Sequence, residues 1–141
     1  MDIALLQQAL ENDDNLNIIN TNIKEIKQKK NEILQELGLK REDLKSYHKK
    51  LNGYMYIDNI KDLKYGRNLR WVNLNKVDAI KITNGALLCD IKIHDKGLAL
   101  VLKGYNHNYI TLYLNENIIF QKLNSEEEII LKAVDYLHKQ S

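Results

Sequence analysis

At 141 residues, with 44% hydrophobic and 28% charged content and a net charge of +2, the chain has room for one core-bearing domain plus an extension, and its make-up is that of a folded protein. It lacks the roughly 18-residue apolar run of a membrane span and a basic-then-apolar leader after Met1, so an intracellular protein that contacts no membrane is expected. A single cysteine, Cys89, excludes an internal disulfide and a cysteine-built zinc site, which leaves stability to packing.

The first element reads as helix. Apolar residues recur every three and four positions, and a heptad frame places Ala9, Leu16, Ile23, Lys30, Leu37, Leu44 and Leu51 at a, with Leu5, Asn12, Ile19, Ile26, Ile33, Lys40 and Tyr47 at d. Glu25 with Lys29 and Glu36 with Lys40 stand at i, i+4 in the favourable orientation. From Leu5 to Leu37 a continuous rod would run about 50 Å, too long for a domain of this size to cover, so a partner chain is the simplest cover. The expected oligomerisation seam is Leu5, Leu16, Ile19, Ile23, Ile26, Ile33 and Leu37. Ile at d with Leu at a favours trimers or tetramers over parallel dimers, and the β-branched d positions turn the expectation to a homotrimer, while Asn12 and Lys30 would fix register. Gly38 and then Leu39 mark a helix end, and a second helix from Arg41 to Leu51 stops at Gly53. The alternative is that this second helix folds back as an antiparallel hairpin on its own domain.

After Gly53 the period changes from helical to alternating. Tyr54–Ile57, Leu69–Leu74, Ala79–Thr83, Leu87–His94, Leu98–Lys103, Tyr109–Leu114 and Ile118–Lys122 read as strands, with turns at His94-Asp95-Lys96-Gly97 and Asn115-Glu116-Asn117 and a longer loop over 104–108. Consecutive antiparallel pairing aligns Cys89, Ile91 and Ile93 with Leu98, Leu100 and Leu102 and with Ile110, Leu112 and Leu114, and a small barrel would close the edges. Ser125 followed by Glu126, Glu127 and Glu128 supplies a capping box for a last helix, whose stripe of Ile129, Ile130, Ala133, Val134 and Leu137 would lie on the barrel or the stalk base. The expected fold is therefore α+β: a coiled-coil stalk over 1–52, with a bend allowed near Gly38, a small antiparallel SH3-like barrel over 53–124, and a C-terminal helix over 125–141 packed on the barrel.

Charge is laid out unevenly, at −4 over residues 1–22, +4 over 23–53, +4 over 54–124 and −2 over 125–141. A basic middle steers acidic partners toward it. The abundance of Asn, Ile and Lys and the absence of proline match AT-rich coding, which speaks of source rather than activity.

Four segments carry a family resemblance: Asp62-Leu63-Lys64-Tyr65-Gly66-Arg67-Asn68-Leu69-Arg70-Trp71, then Lys81 to Leu87, Leu100 to Lys103, and Ile118 to Leu123. Together they resemble a pattern in small β proteins of nucleocytoplasmic large DNA viruses and cover about half the chain. Gly85-Ala86 stands where that pattern has two glycines. The resemblance implies a viral origin, in host cytoplasm or virion, and a virion or replication-site component; it implies no catalytic residues. The layout is also similar to SH3-like and Tudor-like barrels, which grip peptides or nucleic acid at a polar-aromatic strand edge.

The candidate ligand or nucleic-acid surface is Lys64, Tyr65, Arg67, Arg70 and Lys103, with Tyr105 and Tyr109 nearby; Trp71, the lone tryptophan, reads as core. Arg67 and Arg70, three apart, point to opposite faces of a strand. Enzymatic readings find little: His48, His94, His107 and His138 are scattered without metal-ligand spacing, and Gly66, Gly85, Gly97 and Gly104 are isolated turn glycines. No cofactor or metal is expected. The leading expectation is a non-enzymatic oligomeric scaffold acting through contacts with itself and other structural proteins. Its rival is a nucleic-acid-binding module.

Overall fold

The computed structural model describes residues 2–75 and 81–140. The chain divides into a helical unit, residues 1–48 with 123–141, and a sheet unit, residues 49–122.

In the helical unit, short polar side chains decide where helices start and stop. The Asp2 carboxylate accepts the Leu5 N–H and opens α1 (Ile3–Glu11). At Asn12 the backbone turns extended, and the Asn12 side chain accepts the Asp14 N–H to start a 3-10 turn over Asp13–Asn15. A single further turn, α2 (Leu16–Ile19), follows. Asn22 then caps α3 (Ile23–Gln35) by accepting the Glu25 N–H at 2.8 Å. After Gly38, at φ +65°, comes α4 (Arg41–Lys50), tied to α3 by a hydrogen bond between His48 Nε2 and Asn31 Oδ1.

The expected coiled-coil stalk is overturned by this segmentation. Within 12–22 lie five asparagines, and the side chains of four, Asn12, Asn15, Asn20 and Asn22, bond to nearby backbone and so compete with a continuous helix. Asn12, assigned to the seam, ends a helix instead. Of the seam residues, Leu5 and Leu16 are 54% and 58% exposed, Ile19 is exposed, and Ile23, Ile33 and Leu37 are half-buried; only Ile26 is buried. The face α3 buries is Ile26, Lys30 and Leu34, spaced i, i+4, i+8. Burial first, and Lys27 second, push the Lys30 ammonium below the usual lysine range.

The last helix, α5 (Ser125–Gln140), packs on α1, α2 and α3. Its capping box sits one residue earlier than the Ser125 reading. The Asn124 N–H donates to Glu127 Oε1 at 2.9 Å, and the Glu127 N–H donates to Asn124 Oδ1 at 2.8 Å. Glu126 accepts from the side chains of both Asn12 and Asn15, joining the helix break to the start of α5. No helix among the described residues is long and apolar enough to cross a membrane.

Among its described residues the sheet unit is one antiparallel sheet of six strands: β1 (Tyr54–Ile57), β2 (Asn68–Asn73), β3 (Ala86–His94), β4 (Gly97–Lys103), β5 (Tyr109–Tyr113) and β6 (Asn117–Lys122), in the order β1-β6-β2-β3-β4-β5. The sheet is open, which overturns the expected closed barrel. β2 through β5 pair consecutively, but β6 inserts between β1 and β2. Ile118, Ile119 and Phe120 are all buried, so β6 presents apolar residues on both faces and belongs in the interior of a sheet. Among the described residues, that leaves β1 and β5 as unjoined edges. Two residues of the expected strand Ala79–Thr83, 79 and 80, lie outside the described residues; its described part forms a single bridge, Ile82 to Val72.

Cross-strand register sorts the side chains into two faces. The inner face packs Ile57, Ile119, Leu69, Trp71, Ala86, Leu88, Leu100, Leu102 and Leu112 into one core, capped by Leu63 from the β1–β2 connection. A bulge between Leu88 and Asp90 shifts Cys89 out of the apolar pattern, and its thiol is exposed. The buried Gln121 side chain clips the connection down, accepting the Lys64 N–H and donating to the Asp62 carbonyl.

Candidate nucleic-acid interface

The outer face of the sheet carries the chemistry. Asn68 pairs with Leu87, Leu87 with Lys103, and Lys103 with Tyr109, so these four side chains form one row across β2, β3, β4 and β5. At about 4.8 Å between strands the row is about 14 Å long. Leu87 is exposed, Asn68 and Lys103 are half-buried, and Tyr109 is 67% exposed.

Tyr105 is brought onto the same face by its loop. The Gly104 N–H donates to the Asn108 carbonyl, the His107 N–H donates to the Gly104 carbonyl, and His107 takes φ +63° to close the turn. From there the Tyr105 hydroxyl donates to Asn68 Oδ1 at 3.1 Å, while Asn68 Nδ2 donates to the Tyr54 hydroxyl at 2.6 Å. Tyr105 nevertheless stays 73% exposed, a ring held at one end by a hydrogen bond and open to solvent. Gly85, at φ +103°, makes room for this arrangement, since a Cβ there would come within 2.5 Å of Asn68 Nδ2.

Two arginines flank the row in different ways. Arg70 shares the outer face, its guanidinium 5.2 Å from the Tyr54 ring centre and Nη1 donating to the Lys50 carbonyl at 2.7 Å. Arg67, just before β2, donates from Nη1 to the Lys122 carbonyl. Of the residues singled out by sequence, then, Arg70 and Lys103 share the outer face. The Lys64 backbone is fixed to Gln121, and Tyr65 is exposed in the β1–β2 connection. Trp71 is buried in the core.

Sequence reading passed over Asn68 and Leu87. Asn68 was within reach, because alternation puts it on one face with Arg70 two residues on. Leu87 was not, because its place beside Lys103 depends on the β3–β4 register.

The charge of the two units differs in sign. The sheet unit holds twelve Lys and Arg against six Asp and Glu, a net +6; the helical unit holds nine against thirteen, a net −4. An outer row with two exposed tyrosines and a lysine, in a unit of this charge, can stack planar rings and neutralise phosphates. No group of His, Cys, Asp and Glu among the described residues is arranged to hold a metal ion. The chain matches no family model, no curated protein and no solved structure, so its own residues carry the reading.

Proposed function

We propose that the sheet unit binds single-stranded nucleic acid across the outer face of β2 to β5. The observation that carries this is the Asn68–Leu87–Lys103–Tyr109 row with Tyr105 beside it. Tyr105 and Tyr109 offer faces for base stacking, worth about 1–3 kcal/mol per base in such platforms, and Lys103 supplies charge for the backbone. Because Asn68 positions Tyr105 before any ligand arrives, less ordering is left to binding. No catalytic step is part of this reading. An intracellular setting at a replication site, of the kind the viral resemblance implies, goes with it.

The test is fluorescence anisotropy of a labelled oligouridylate or oligothymidylate with the full chain and two variants. Lys103→Glu and Tyr109→Ala are each expected to weaken binding about ten-fold or more, on the scale of one lost stacking or phosphate contact. Equal affinity of both variants and the parent protein would refute the proposal.

A second reading, protein–protein scaffolding, is favoured by a separate observation. Ile3, Leu5, Leu10 and Leu16, with Tyr136 and Leu137 of α5, are exposed in the helical unit. Exposed apolar groups on a unit of this size suit contact with another protein.

A further inference from the structure

The β5 edge lacks the features by which proteins keep sheet edges from pairing. Tyr109-Ile110-Thr111-Leu112-Tyr113 contains no charge, no proline and no bulge, and among the described residues it pairs on one side only, with β4. Tyr109, Ile110 and Thr111 are exposed. The other edge differs: in β1, Tyr54 and Ile57 are buried and Met55 and Tyr56 half-buried.

Backbone polarity along β5 follows from the loop that starts it. The Gly104 N–H bonds to the Asn108 carbonyl, so hydrogen-bonded positions alternate from there, and Asn108, Ile110 and Leu112 face β4. Tyr109, Thr111 and Tyr113 turn their N–H and C=O groups outward. Of these groups, the Tyr113 carbonyl already accepts from Asn117 Nδ2 and keeps a second lone pair.

The strand is also symmetric about its centre, with tyrosine at both ends, an aliphatic residue next to each, and threonine in the middle. Set antiparallel against itself with a two-fold axis at Thr111, it places Tyr109 against Tyr113, Ile110 against Leu112, and Thr111 against Thr111. The outward-facing residues fall into hydrogen-bonded pairs. Ile110 and Leu112 fall into the closer non-hydrogen-bonded pairs and extend the inner apolar face. No like charges meet across the axis.

We infer that β5 is a self-association edge whose partner is β5 of a second copy, joining two sheets into one of twelve strands about a two-fold axis at Thr111. A foreign strand would have to match the same alternation of tyrosine and aliphatic residues; a second copy already carries it. The outer rows of the two copies would then lie on one continuous face. A five-residue contact is below the usual size of a stable interface, so association is reversible and rises with concentration. This inference concerns the edge of the sheet and is independent of what its outer face binds.

Site-specific crosslinking of the full chain in a Cys89→Ser background tests it. Only position 111 meets itself, at a Cα separation of about 5.5 Å, which suits a disulfide. Thr111→Cys is expected to give a covalent dimer as the main product under mild oxidation, whereas Tyr109→Cys, about 14 Å from its own copy, is expected to stay monomeric. Thr111→Pro, which removes an outward N–H and leaves β4 pairing intact, is expected to make the mass by light scattering independent of concentration without changing the circular dichroism. The inference is overturned by no crosslink at 111, by equal crosslinking at 109 and 111, or by a concentration-dependent mass that persists in Thr111→Pro and in a second variant, Thr111→Lys.

Discussion

The two units are organised by forces of different range. In the helical unit, ends are set within three residues of sequence: Asp2, Asn12, Asn22 and Asn124 each accept a backbone N–H two or three residues on, and each begins a new turn or helix. In the sheet unit, positions are set by register between distant residues, as with Leu69 against Gln121 or Asn68 against Leu87. Local capping cuts what would be a long rod into short helices and leaves seam leucines in solvent. Long-range pairing collects scattered basic and aromatic residues onto one outer face. The negative unit exposes Leu5, Leu10, Leu16 and Leu137, and the positive unit exposes Tyr65, Tyr105 and Tyr109.

Truncation at the centre of the sheet should show the largest effect. Phe120 is fully buried in β6, between β1 and β2, and Phe120→Ala is expected to cost about 3–5 kcal/mol in denaturant unfolding. A loss below about 1 kcal/mol would mean that β6 is not the interior strand. Next is the capping box. Asn124→Ala leaves the Glu127 N–H without its side-chain acceptor and is expected to cost about 1 kcal/mol, with Ser125→Ala much milder; the reverse order would return the cap to Ser125.

Lys30 sharpens the comparison through pH. Its folded pKa is lowered by burial, so the unfolded chain binds more protons in the window between the lowered value and the usual lysine value. Stability from this residue should therefore rise as pH increases through that alkaline window, and Lys30→Met should flatten the rise seen in thermal melts at a series of pH values. An unchanged slope would mean that Lys30 is not desolvated. The smallest effect belongs to the former seam, where Leu5→Gln and Leu16→Gln are expected to change stability by no more than about 0.5 kcal/mol, because both side chains already face solvent. A cost of several kcal/mol would restore a buried seam.

Much of the secondary structure was legible in the chain because it rests on local alternation and capping. β1 is legible with its observed ends, and β2, β3, β4, β5 and β6 to within one residue. The helices are legible as helical periodicity, but Asn12 reads from sequence as a polar seam position when its side chain, like that of Asn22, is a helix-start cap. The open sheet could not be read in the same way. Consecutive pairing is the local default, and the insertion of β6 rests on its burial on both faces, for which Ile118-Ile119-Phe120 was the available signal. The site was legible in part. Arg70 and Lys103 came from charge, but the row joining Lys103 to Leu87 and Tyr109 exists only through register.

The most direct measurement is the affinity of the full chain for a short oligouridylate, and for a duplex of equal length, over a series of salt concentrations. Binding through a few backbone phosphates and two stacked bases predicts preference for the single strand and an affinity that falls with salt at a slope of about two to four released counterions. Absence of binding at low salt, or equal affinity for the duplex, would contradict a base-stacking face on β2 to β5.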